Sequence, residues 1–156
     1  MSETITILVA TMSGTAEMVA ETVAERIEEA GLNARILRME KLKEPAVALG
    51  KGGRWIVCSS TYGTGDVPDN GKDLYAALDS ERPDLSALRY GVIALGDSVY
   101  PNTFCFGGKK FDALLSSLGA VRIGERLEHD ARGPDYPEDL AAAWTDTWLE
   151  LVGDVA

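Results

Sequence analysis

Histidine occurs once in the 156-residue chain, as His129, and cysteine twice, as Cys58 and Cys105. The cysteines sit in different contexts and form no CxxC pair, so neither a disulfide framework nor a zinc site is expected. Both are read as thiols, and Cys58 lies in a buried-strand pattern where a small apolar residue is the ordinary role. His129 stands between Glu128 and Asp130, a setting in which a histidine is expected to face solvent. No Ser/His/Asp or Cys/His arrangement assembles around it, so no catalytic residue and no metal ligand is assigned. Long apolar runs are missing too: none approaches the ~18 residues of a membrane span. Met1 to Thr4 leads into a strand pattern without a basic leader region, and a cytoplasmic location is expected. Basic residues are outnumbered, 15 Lys and Arg against 25 Asp and Glu, for a formal charge of -10. Such a charge repels nucleic-acid phosphates and anionic membrane surfaces. It suits a basic protein partner, or it serves solubility alone.

What is present is an ordinary globular mixture, 46% apolar and 26% charged, with no repeat and no low-complexity tract. The length suits one domain over residues 1–156. Residues 4–10 (TITILVA) form a continuous apolar, β-branched run, the pattern of a strand covered on both faces. A loop from Thr11 to Thr15 follows, and then Val19, Val23, Ile27 and Ala30 recur at helical spacing up to the stop at Gly31. Residues 34–39 read as a second strand, and Gly50, Gly52 and Gly53 as a flexible connection into a third at 54–60. A loop from Ser60 to Asn70, a helix with Tyr75 and Leu78, and a buried run at 90–95 repeat the unit. The loop Gly96 to Gly108 precedes a helix with Phe111, Leu114, Leu115 and Leu118. A fifth strand is expected near 120–127, and a last helix carries Leu140, Trp144, Trp148 and Leu151, with Trp144 and Trp148 on a core-facing stripe. Alternating strands and helices predict an α/β fold, a doubly wound five-stranded parallel sheet of order 2-1-3-4-5. Ligands in such sheets bind beyond the carboxyl ends of the strands where the winding reverses, so the loops after strands one, three and four are expected to share one site.

The first of these loops reads Thr11-Met12-Ser13-Gly14-Thr15-Ala16-Glu17 and enters a helix directly. Its hydroxyls, its glycine and the helix-terminal amides can all point at one phosphate, whose charge the helix dipole favours. The same composition also serves as an ordinary N-cap. Neither GxxxxGK[ST] nor GxGxxG occurs, which excludes a Walker loop and a dinucleotide fingerprint. The second loop is Ser59-Ser60-Thr61-Tyr62-Gly63-Thr64-Gly65-Asp66-Val67-Pro68-Asp69-Asn70. Tyr62 beside two glycines offers either a flat ligand surface or a ring packed on a neighbouring loop. The third, Leu95-Gly96-Asp97-Ser98-Val99-Tyr100-Pro101-Asn102-Thr103-Phe104-Cys105, again sets aromatics among small and polar residues.

Together and in this order, SGTAE, STYGTGDVPDN and LGDSVYPNTFCFGGKKFD resemble the phosphate loop and two flavin loops of the flavodoxin superfamily, over nearly the whole chain. They are similar to the FMN (flavin mononucleotide) domains of diflavin reductases and most like the small MioC-type flavodoxins. The resemblance implies non-covalently bound FMN, with Thr11, Met12, Ser13, Gly14, Thr15 and Ala16 around the phosphate. It implies flavin contacts from Ser60, Thr61, Tyr62, Gly63, Thr64 and Gly65, and from Leu95, Gly96, Asp97, Tyr100, Asn102, Phe104 and Cys105. Tyr62 and Tyr100 would flank the isoalloxazine. Thr64 stands where diflavin-type loops often carry an acid, and the third loop is one residue longer around Thr103. Nothing resembles the insertion that long-chain flavodoxins carry in the fifth strand.

The function implied is a low-potential electron carrier, not an enzyme, since the flavin does the chemistry and the protein orients and tunes it. Stacked tyrosines and an acidic shell disfavour the anionic, fully reduced flavin. Carboxylates near the flavin edge would guide basic-faced redox proteins: a flavodoxin or ferredoxin reductase as donor, and a biosynthetic enzyme such as biotin synthase as acceptor. An FMN-dependent NAD(P)H quinone or nitro reductase is the alternative, and it needs a nicotinamide site for which no segment is found. A signalling receiver needs an aspartate after strand three, where this chain has Ser59-Ser60-Thr61.

Overall fold

The computed structural model describes residues 4–11, 14–61, 67–97 and 104–153. Strand β1 (Thr4–Ala10) leads into helix α1 (Thr15–Glu29), and β2 (Asn33–Arg38) ends in a 3-10 turn (Met39–Lys41). A short helix α2 (Pro45–Gly50) precedes β3 (Gly53–Ser59), followed by α3 (Asp69–Glu81), β4 (Leu88–Gly96) and α4 (Phe106–Ser117). The chain closes with β5 (Val121–Arg122), β6 (Leu127–Asp130) and α5 (Pro137–Gly153). All strand pairs among the described residues are parallel, and the order is β2-β1-β3-β4-β5, with β6 also on β4.

Alternation along the strands builds two cores. Ile5, Ile7 and Val9 of β1, Ile56 and Cys58 of β3, and Ile93 and Leu95 of β4 pack under α1 and α5. Leu8 and Ala10, Val57, and Tyr90 and Val92 turn to the opposite face, beneath α3 and α4. A strand buried on both faces has no polar side to show, which is why its sequence reads as an unbroken apolar run. On α5 the buried positions are Ala141, Thr145, Trp148 and Val152. Leu151 is 42% exposed, because the buried face runs through Val152. Trp144 stacks on Trp148 with centroids 6.0 Å apart.

Three expectations are corrected. The fifth strand is not continuous over 120–127: β5 and β6 occupy its lane in tandem, Arg89 pairing with Val121 and Leu95 with His129. The segment expected to be a flexible connection at Gly50 to Gly53 contains the end of α2 and the start of β3. His129 does not face solvent; β6 turns it inward, 7% exposed. Its Nε2–H donates to the Asp135 carbonyl at 2.9 Å, tying down the bend after β6. No helix among the described residues is long and apolar enough to cross a membrane.

Candidate functional site

β1, β3 and β4 end side by side, so the segments that leave them begin within one patch at the carboxyl edge of the sheet. In the first, Gly14 adopts φ +90, a left-handed conformation that an L side chain rarely takes. Its N–H donates to Thr11 Oγ1 at 2.9 Å, closing the turn. Among the described residues no side chain caps α1. The amides of the first helical turn, which have no partner within the helix, are thus left for an anion, and the helix dipole favours its charge. Glu17, the acid of that turn, is held by a two-pronged bond from Arg38 at 2.6 and 3.1 Å. The guanidinium bond keeps its carboxyl below the usual range. Thr15 is exposed at the helix start, whereas Ala16 is buried, so only the backbone of Ala16 is on offer. This donor set, hydroxyls and amides without a required lysine, fits a phosphate monoester.

Side chains join the three segments. The carboxamide of Asn70 accepts from Thr11 N–H at 3.0 Å and donates to the Val9 carbonyl at 3.1 Å. The hydroxyl of Thr61 donates to the Leu95 carbonyl and accepts from Gly107 N–H, both at 3.0 Å. Gly107 lies so close to β3 that a Cβ there would overlap the Ser60 carbonyl. Ser60 continues the ladder with an N–H bond to Ala10 O at 2.9 Å. In the third segment the Gly96 carbonyl accepts from Ala131 N–H, and Asp97 accepts from Arg132 Nε, each at 2.9 Å. Phe104 is half-buried beneath the Lys109 ammonium, 5.6 Å from the ring centroid. Cys105 is fully buried, its Sγ directed to the carbonyls of Ala94 and His129. Burial pushes the thiols of Cys58 and Cys105 up to about 12, so neither is a thiolate near neutrality.

Of the residues singled out from sequence, Thr11, Gly14, Thr15, Ala16, Ser60, Thr61, Leu95, Gly96, Asp97, Phe104 and Cys105 are described. The structure brings them to the ends of β1, β3 and β4 and the starts of α1 and α4. Met12, Ser13, Tyr62, Gly63, Thr64, Gly65, Tyr100 and Asn102 lie outside the described residues. Asn70 and Gly107 stood inside the quoted motifs but were given no role. Asn70 bonds backbone 59 and 61 residues away, for which its own segment carries no signal.

A second polar joint lies at the β4–β5–β6 edge. Asp112, buried on α4, accepts from the Tyr90 hydroxyl at 2.6 Å and from the guanidinium groups of Arg122 and Arg126. Arg126 also bonds Glu128 at 2.9 Å. Burial, with the bond to Asp112 second, raises the Tyr90 phenol well above its ordinary value. Among the described residues no group of three or more His, Cys, Asp or Glu could hold a metal ion.

Doubly wound parallel topology with three loops that begin at one sheet edge, one of them leading into a helix start with no side-chain cap among the described residues, defines a mononucleotide-binding α/β protein. The flavodoxin family profile matches residues 7–144, and the chain belongs to the flavodoxin family, whose members bind FMN and transfer electrons. It is 41% identical over 148 residues to Protein MioC of Escherichia coli (strain K12), spanning 95% of this chain and 97% of that protein. It is 37% identical over 151 residues to the NADPH sulfite reductase flavoprotein alpha-component of Vibrio cholerae serotype O1, spanning 96% of this chain and 24% of that longer protein. Among solved structures, a cysteine-to-alanine mutant of flavodoxin from Pseudomonas aeruginosa matches with a TM-score of 0.83 at 33% identity, over 96% of this chain and 99% of that one. The family resemblance, the fold class and the FMN expectation drawn from the sequence are borne out.

Proposed function

We propose that the chain is a low-potential carrier that takes electrons from a flavodoxin or ferredoxin reductase and passes them to a biosynthetic enzyme of the biotin synthase kind. The observation that carries the reading is the uncapped start of α1 beside Thr11 and Gly14, at the edge where the other two loops begin. Bound FMN supplies the ring that accepts and releases electrons, and the chain supplies position and field. Thr11, Thr15 and the first-turn amides of α1 would hold the phosphate, with Ser13 as a further hydroxyl of that loop by the family resemblance. By the same resemblance Tyr62 and Tyr100 would flank the ring and exclude water from its faces, and Phe104 and Asp97 stand at the third loop's two ends. The charge of -10 sets up a field that resists electron gain by the ring and draws in basic-faced partners. The carrier acts without a substrate site of its own.

Titration of the apoprotein with FMN and with riboflavin, followed by flavin fluorescence quenching, tests the site. FMN is expected to bind at least about tenfold tighter, since each bond to a charged oxygen is worth roughly 1.5 to 3 kcal/mol. The yellow complex is expected to keep its colour in NADPH alone and to bleach once a ferredoxin-type reductase is added. Rapid bleaching by NADPH alone would instead identify an NAD(P)H-dependent quinone or nitro reductase.

A further inference from the structure

β2 stops at Arg38, opposite Val9, and the chain turns away into the 3-10 turn at Met39. β1 continues past that point on its other side, where Ser60 N–H still bonds the Ala10 carbonyl. Backbone groups alternate sides along a strand, so the Val9 carbonyl, at the last rung that β2 pairs, and the Thr11 N–H, one step beyond it, face the same lane. In a parallel ladder one residue of the neighbouring strand fills that pair, donating to the first and accepting from the third of three successive residues. Asn70 does this with its side chain: Nδ2 donates to Val9 O at 3.1 Å and Oδ1 accepts from Thr11 N–H at 3.0 Å. Its orientation is fixed by chemistry, because a carbonyl can only accept and an amide N–H can only donate. The start of α3 is seated close enough for this because Gly71, buried, packs against Ala10 and Met39.

We propose that Asn70 is a positioning residue that adds one side-chain rung to the sheet and so sets the phosphate loop before FMN arrives. The connection is continuous: Asn70 fixes the Thr11 backbone, Thr11 Oγ1 fixes Gly14 N–H, and Gly14 opens α1, whose first-turn amides would meet the phosphate. A neutral amide does this without adding a charge that would repel the ligand. An aspartate of the same shape keeps the acceptor but loses the donor and brings a negative charge to the phosphate end.

The inference rests on the phosphate-loop reading, and the experiment separates the two. Dissociation constants for FMN and for riboflavin are measured on wild type, Asn70→Ala and Asn70→Asp, with circular dichroism melts of each apoprotein. Asn70→Ala is expected to reduce the preference for FMN over riboflavin about tenfold, the loss of two neutral hydrogen bonds. Asn70→Asp is expected to reduce it further, with riboflavin affinity within about twofold of wild type in both. A residue acting only on overall stability would lower the melting temperature and weaken both flavins alike. That result, or an unchanged preference in a folded Asn70→Asp protein, overturns the proposal. A wild-type protein that binds the two flavins equally overturns the phosphate-loop reading, and the proposal with it.

Discussion

The Asn70 joint and the Asp112 joint solve the same problem with opposite means. Each ties a helix to the sheet where a strand lane is interrupted: β2 turns away beyond Arg38, and β5 breaks off after Arg122. At the first, one neutral side chain bonds two backbone groups. At the second, a buried carboxylate gathers a phenol and two guanidinium groups. The difference follows from what lies nearby. A phosphate-binding edge tolerates no spare negative charge, whereas the β4–β5–β6 edge is free to use ion pairs and gains strength from them. The neutral joint should therefore govern ligand preference, and the charged joint stability.

The largest effect is expected from Asp112→Asn. It weakens the bonds from Arg122 and Arg126 and unbalances the buried Tyr90 hydroxyl, for a loss of about 2 to 3 kcal/mol in urea unfolding of the apoprotein. The preference for FMN over riboflavin is expected to stay at the wild-type value. A shift in that preference would break the division of labour between the two joints.

Tyr90→Phe sharpens the same contrast with a smaller change. It removes one donor to Asp112 and leaves both arginines in place, and about 1 kcal/mol of stability should go with it, read from the same urea curves. Equal losses in Tyr90→Phe and Asp112→Asn would mean that the arginines contribute nothing.

The smallest effect concerns the exposed ion pair between Arg38 at the end of β2 and Glu17 in the first turn of α1. Arg38 holds the Glu17 carboxyl below the usual range, so the pair's contribution is full above the ordinary carboxylate pKa and is lost as pH falls through the lowered value. Melting temperatures of wild type and Arg38→Gln should differ slightly at pH 7 and converge at pH 3. Because the pair is exposed, added salt should also shrink the gap at pH 7. A gap that persists in acid would show that Arg38 acts through its packing on β2.

Most of this architecture was legible in the residues themselves. The runs 4–10, 54–60 and 90–95 had to be strands buried on both faces, and strict alternation with helices fixed the winding and hence the edge where loops converge. The break between β5 and β6 was passed over: Gly124, which takes φ +72, is its local mark, but the meeting of Arg122 and Arg126 at Asp112, on another element, has no signature along the chain. His129 was misjudged for the same reason, since charged neighbours along the chain do not reveal that β6 pairs with β4 and turns the ring inward. Asn70 was in plain view at the end of its motif, yet its partners lie 59 and 61 residues away. A long-range bond to backbone has no local signature.

Because the Asn70 amide addresses only main-chain atoms, it makes no demand on the identity of the side chains at positions 9 and 11. Homologues are free to replace Val9 and Thr11 without any matching change at 70, so the joint leaves no pair of covarying columns. The trace expected of it is a restriction at position 70 alone, and its one forbidden neighbour is proline at 11, which has no N–H to give.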